Sequence, residues 1–227
     1  MKKLSLLFLS LMLMIVLVAC GSKTDSDKST TSPPTSQSET EDPSDSADIS
    51  GTEEYPYLTP IIPDDLSPNP DSFQISLDGN VLTLPALYSD FVALGWESED
   101  IDDQTLKPGF MTIGNTSLDK GDARLAGANF INLGDKEAPL SECHVYGVSF
   151  IYSKWNALGT SFVLPGGLHV ASTLDEIIAA YGEPTERDDS VARTTKLTYR
   201  FDEDKYIRFE IDNEYAPFGN QIAIYTA

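Results

Sequence analysis

Histidine is almost missing from this 227-residue sequence: His144 and His169 are the only two. That removes most of the material for acid–base and metal chemistry, where imidazole is the commonest side chain. His144 follows Cys143, but neighbours on a strand point to opposite faces. No further ligand follows at zinc spacing, so no metal site and no cofactor site is expected. His169, in Pro165-Gly166-Gly167-Leu168-His169, reads as an exposed loop histidine. Positive charge is scarce too. Lysine and arginine number 15 against 36 aspartates and glutamates, a net charge of −21. Phosphate binding rests on Lys and Arg neutralising charge, so a nucleic acid partner is excluded. A Gly-x-Ser-x-Gly elbow and a glycine-rich phosphate loop with Lys and Ser or Thr are both absent. No catalytic residue is assigned.

Long apolar runs are lacking, with one exception at the start. Leu4 to Val18 is an apolar stretch of 15 residues broken only by Ser5 and Ser10, behind Lys2 and Lys3. A membrane-spanning helix takes about 20 apolar residues. The run fits a cleaved secretory signal over residues 1–19. Its end, Leu17-Val18-Ala19-Cys20, resembles the lipobox of bacterial lipoproteins. The resemblance implies cleavage just before Cys20 and a thioether-linked diacylglycerol on its sulfur. The protein would then be held at the extracytoplasmic face of the cell membrane. Two acyl chains suffice for stable anchoring, each buried CH₂ contributing about 0.8 kcal/mol. The alternative is a plain secretory signal with an incidental cysteine. Residue 21 is Gly rather than Asp, so in a two-membrane cell the family's sorting rule would not retain the protein at the inner membrane. Loss of Lys2 and Lys3 leaves 13 basic residues against 36 acidic ones, net −23. With Cys20 lipidated, Cys143 has no disulfide partner. Its run, Cys143 to Tyr152, is apolar and fits a buried small hydrophobe rather than a reactive thiol.

Residues 20–70 read as a disordered tether rich in Ser, Thr, Asp, Glu and Pro, with Ile49 the only large apolar group before Tyr55. Such a segment cannot bury enough apolar surface to offset its ordering entropy. It would span roughly 40 Å root-mean-square. Tyr55, Tyr57, Leu58, Ile61 and Ile62 are candidates to dock on the edge of the body, although Pro56, Pro60 and Pro63 oppose regular structure there.

Residues 71–227 have the size of one domain, and their fold class reads as α+β, predominantly antiparallel sheet. Phe73 to Leu77, Asp78-Gly79-Asn80 and Val81 to Leu84 form a hairpin pattern with Asp-Gly in the tight turn. Strands are expected near 110–114, 124–133, 143–152 and 161–164. Leu197, Tyr199 and Phe201 alternate, Asp202-Glu203-Asp204 turns, and Ile207, Phe209 and Ile211 alternate again. A last strand is expected near 221–226. A short helix is expected over about 86–94, with Leu87, Phe91 and Leu94 on one side and Gly95 at its end. A second is better marked. Thr173 and Glu176 form a capping box, Leu174, Ile177, Ile178 and Tyr181 fall on one face, and Gly182 and Pro184 end it. Leu84-Pro85 recurs as Leu164-Pro165, each ahead of a short helix and a strand-rich stretch. This predicts two helix-plus-β-meander repeats, about 71–155 and 156–227.

Leu84-Pro85, Tyr88-Ser89-Asp90-Phe91, Glu142-Cys143-x-Val145-x-Gly147, Leu164-Pro165-Gly166-Gly167 and Tyr181-Gly182-Glu183-Pro184 are similar to a class of lipoproteins of low-GC Gram-positive bacteria. These motifs are helix starts, helix stops and turns, so no functional residue is carried over. At the level of fold alone, the repeat resembles β-lactamase inhibitor proteins and small outer-membrane assembly lipoproteins.

Three acidic clusters stand in expected turns: Glu97-x-Glu99-Asp100-x-Asp102-Asp103, Glu186-x-Asp188-Asp189 and Asp202-Glu203-Asp204. Paired carboxylates can cleave glycans and oxygen-rich loops can hold calcium, but none has the Asp-x-Asp-x-Asp-Gly spacing. Trp96, Trp155, Tyr215 and Phe218 sit in loop-like stretches, and the loops 108–116, 154–160 and 214–221 are the first places to seek a binding surface. The expectation is a lipid-anchored, non-enzymatic binding module with a protein or cell-wall partner. Its alternatives are a cell-wall-directed hydrolase and a calcium-dependent adhesion module.

Overall fold

The computed structural model describes residues 59–99, 101–112, 116–152, 160–217 and 219–227, with only the backbone of residue 102. The leader, Cys20, the tether as far as Leu58, Asp100, Trp155 and Phe218 lie outside the described residues. The described residues belong to one compact unit within Gly51–Ala227, and its fold is α+β with mostly antiparallel sheet.

The chain enters through β1 (Gln74–Leu77) and β2 (Asn80–Thr83), a hairpin closed by Asp78 and Gly79. Both have positive φ, 51° and 82°, as a two-residue turn of this hand requires. Asp78 also stitches this hairpin to the rest of the body. Its carboxylate accepts from Ser161 N at 2.9 Å and from Lys120 Nζ at 2.8 Å. β3 (Ala86–Leu87) leads into α1 (Tyr88–Ala93), whose first turn is closed by the Asp90 carboxylate accepting from Leu87 N. Then follow β4 (Thr105–Leu106), β5 (Thr116–Lys120), β6 (Ala123–Ile131), β7 (Ala138–Pro139), β8 (His144–Ile151) and β9 (Phe162–Val163). The remainder is α2 (Leu174–Tyr181), β10 (Glu186–Val191), β11 (Thr194–Arg200), β12 (Lys205–Asp212) and β13 (Gln221–Thr226).

The main sheet runs β10-β11-β12-β13-β8-β6-β5, with β3 also pairing β8. A three-stranded sheet, β2-β1-β9, and the pair β4-β7 complete the strands. One face of the main sheet is covered. Phe130, Val148, Phe150, Leu197, Ile207 and Phe209 meet Ile75, Leu77, Phe91 and Ile177 in a single core. Helix α2 lies on this side because its capping box and apolar stripe act together. Glu176 Oε2 accepts from Thr173 N at 2.8 Å, and Thr173 Oγ1 accepts from Glu176 N. Its last residue, Tyr181, packs edge-on against Tyr199 and Phe209 and donates its hydroxyl to Pro165 O at 2.8 Å.

The structure departs from the expectation in places. Glu186-x-Asp188-Asp189 does not lie in a turn but on edge strand β10, where every side chain is exposed. An edge strand with no buried face leaves no apolar alternation in the sequence. Of the strand expected near 110–114, residues 110–112 are described and carry one bridge, Met111 to Ile131; residues 113 and 114 lie outside the described residues. Trp96, in a loop-like stretch as expected, packs its side chain fully into the core. His169 is half-buried rather than exposed. Cys143, in contrast, is buried as its apolar run suggests, with its thiol donating to Pro139 O at 3.3 Å.

Residues 61–67, assigned to the tether by composition, lie against the body. Ile61 N donates to Ser161 Oγ at 2.8 Å, and Gly166 N donates to Ser67 O. Gly79 and Gly167 leave room for the Ile61 and Ile62 side chains, which approach where a Cβ would stand.

Candidate functional site

The second face of the main sheet carries the candidate site. Residues directly opposite one another on paired strands share a face, so the registers place its side chains in rows. Arg200, Tyr206, Tyr225, Gly147 and Asn129 form one row across β11-β12-β13-β8-β6. Thr198, Arg208, Ala223, Ser149 and Gly127 form the next. Asp188, Lys196, Glu210, Gln221 and Ile151 form a third. The inward residues between them, such as Ile207 and Phe209, belong to the core.

The first row is an aromatic stack. The Tyr206 and Tyr225 rings lie 4.8 Å apart, and Tyr146 leans on Tyr225 at 6.4 Å. The Arg200 guanidinium sits over the other face of Tyr206, 5.4 Å from its centroid. Burial, with the neighbouring tyrosines, pushes the Tyr146 and Tyr225 phenols up from their ordinary range. Gly147 makes the stack possible. A Cβ there would stand 2.8 Å from Tyr225 Cε1, closer still to Cδ1, and 3.2 Å from Ile224 O. The third row is an ion ladder in which Glu210 receives Lys196 at 3.4 Å and Arg208 at 3.0 Å. The charges of Glu210, Lys196 and Arg208 are thus paired, while Ser149 Oγ and Arg208 Nε are buried without a hydrogen-bond partner.

The other half is not paired. Beyond a bulge in β8, Leu87, His144, Ile131 and Met111 line up across β3, β8, β6 and the segment before β5. The core residues beside them, Ala86, Val145 and Phe130, point inward, so this row points out. Leu87 is 42% exposed and Met111 44%, and next to them Phe110 is 61% and Leu133 54% exposed. Asn132 N donates to Phe110 O and Gly109 N to Asn132 O, which holds the two segments together. The buried Asn132 side chain fixes the loop by donating to Leu106 O and Lys136 O, both at 2.7 Å. These apolar groups therefore stand on a rigid support. Only the loop 108–116 pointed to them in the sequence; the row itself depends on register between distant segments.

Elsewhere, a groove of about 570 Å³ lies between the start of α2 and the β12–β13 connection, with Leu174, Ile211, Pro217 and Asn220 in its wall. Tyr215, 50% exposed, lies two residues before Pro217 and carries the Arg193 guanidinium 4.6 Å above its ring. The turn His169–Ser172 forms one rim. His169 Nδ1 accepts from Ala171 N, Ser172 Oγ accepts from His169 N, and Asn220 Nδ2 donates to Val170 O at 2.6 Å. Burial lowers the His169 pKa below its ordinary value, partly opposed by Glu176. The folded state therefore favours neutral His169. Stability should hold above pH about 6.5, the ordinary imidazole value, and fall below it until the lowered folded pKa is passed. Melting temperatures from pH 7.5 to 5 check this. His169→Asn keeps an acceptor near Nδ1 but does not titrate, so it should lose less stability over that range.

The acidic clusters are occupied locally. Asp188 accepts from Ser190 N, and Asp189 from Arg187 and Thr195. Asp202 accepts from Glu203 N in the β11–β12 turn. Glu97 bridges to Asp119 through the backbone, and Glu99 lines a polar recess with Gln104 and Arg124. The side chain of Asp102 lies outside the described residues. Cys143 and His144 do not converge: the thiol lies within the core and the imidazole on the outer row. Among the described residues no three His, Cys, Asp or Glu side chains are grouped so as to hold a metal ion, and no helix is long and apolar enough to cross a membrane. No family model, curated protein or solved structure matches the chain.

Proposed function

We propose that this protein is a lipid-anchored lipoprotein of the bacterial cell envelope, tethered through acyl chains on Cys20, with a folded body that serves as a non-enzymatic binding module. The observation that carries the reading is Leu17-Val18-Ala19-Cys20 behind a lysine-led apolar run too short to span. The acidic stretch between Cys20 and the body fits a spacer. The body supports the binding role by presenting Leu87 on one side of the buried Ile131 and Phe110, Met111 and Leu133 on the other, since exposed large apolar groups on one face mark interaction sites. On this reading the body consists of two helix-plus-meander units, 71–155 and 156–227. The order of the main sheet is consistent with that division: β5, β6 and β8 come from the first unit, β10 to β13 from the second, and the two sets join where β8 meets β13.

The test is metabolic labelling with palmitate followed by membrane sedimentation. Wild-type protein should carry label and sediment with membranes, while Cys20→Ala should lose both. An unlabelled wild type, or a Cys20→Ala protein that still sediments, would refute the anchor.

A further inference from the structure

Resting on the binding-module reading, we infer that the outer row Leu87–Met111, with Phe110 and Leu133, is a docking surface for a basic, amphipathic polypeptide segment. The apolar groups are fixed by the Met111–Ile131 bridge and the Asn132 hydrogen bonds rather than displayed on a loose loop. Their surroundings define what can cover them. Exposed Asp90 in α1, Glu142 in the helical turn before β8, and Asp135 and Glu137 after β6 stand near in sequence to the row, against Lys107 and Lys136. The body as a whole, residues 71–227, carries 25 acidic and 11 basic residues, net −14. An anionic lipid surface or an acidic peptide would meet repulsion here, and a second copy of this chain brings the same excess of negative charge. A segment with Lys or Arg beside Leu or Phe is attracted by the field and can bury its apolar side on the row. The stacked half of the face has no comparable opening. Its tyrosine rings face one another and Arg200, and Glu210 is already paired with Lys196 and Arg208.

The probe is a synthetic peptide of leucine and lysine at helical amphipathic spacing, with a serine-and-lysine peptide of equal charge as control. The receptor is the chain from residue 20 onward with Cys20→Ser, so that no acyl chain competes for the probe. Because the assay needs no lipid, its failure leaves the Cys20 anchor untouched, and failure of the anchor leaves this result standing. Titration should show saturable binding of the leucine peptide and binding of the control at least about tenfold weaker. Affinity should fall as salt rises from about 0.01 to 0.15 M. Met111→Ser with Leu133→Ser should weaken binding roughly tenfold at unchanged melting temperature, since both side chains are largely exposed. Asp135→Lys should flatten the salt dependence and serves as the second variant. Equal binding of the two peptides, no loss in the double-serine protein, self-association that the same substitutions abolish, or binding to phosphatidylglycerol vesicles would each overturn the inference.

Discussion

Gly147→Val is expected to destabilise the protein by about 3 kcal/mol, at the upper end of overpacking penalties. For a body of this size that lowers the melting temperature by roughly 6–12 °C. The cause is steric rather than conformational, because Gly147 is not among the glycines of positive φ. Its missing side chain leaves the space that the Tyr225 ring fills, and the backbone carbonyl of Ile224 closes the other side. An added side chain must expel the ring, which breaks the stack with Tyr206 and Tyr146. Thermal denaturation measures the first effect and the near-ultraviolet circular dichroism of the tyrosines the second. A double-mutant cycle isolates the cause. In a Tyr225→Ala background the cost of Gly147→Val should shrink markedly, because the colliding ring is gone. An equal cost in both backgrounds would rule out the collision.

Phe209→Ala is expected to cost about 3–5 kcal/mol, the range for deleting a fully buried phenylalanine. Phe209 has no exposed surface, and it meets Tyr181 at 5.9 Å and Tyr199 at 6.2 Å. It thus joins the sheet to α2. The Tyr199 hydroxyl, whose pKa is pushed up to about 12 chiefly by burial, donates to Gly182 O at 2.9 Å just past the helix end. Loss of the Phe209 ring should loosen both contacts, so α2 amides should exchange faster than those of β6 and β8. Phe201→Ala is the comparison: Phe201 is 38% exposed and its main partner is Phe73 at 5.4 Å. Its cost should stay near 1 kcal/mol. Denaturant titration of the three proteins checks the order.

Much of this architecture is legible in the sequence where short-range chemistry decides it. Asp78-Gly79 makes its turn, Thr173 and Glu176 cap α2, and the alternation of β11 and β12 matches the inward residues Leu197, Tyr199, Ile207 and Phe209, while Phe201, the third member expected in β11, lies just past the strand and is exposed. Legibility fails where a strand has no buried side, as in β10, and where register decides. Leu87, His144, Ile131 and Met111 come from four separate segments, and nothing local in any of them announces the row. Gly147 carries no sign that a ring 78 residues later will lie on it. His169 reads as exposed because the turn that holds it is pinned at Val170 O by Asn220, on a distant connection.

The charged border formed by β10 has a consequence for crowded conditions. Glu186, Arg187, Asp188 and Asp189 occupy successive positions of a strand whose outer hydrogen-bonding edge has no partner strand among the described residues. A neighbouring polypeptide that tried to extend the ladder would have to bring its own side chains against that dense row of charges. Pairing of this edge with another polypeptide is therefore disfavoured.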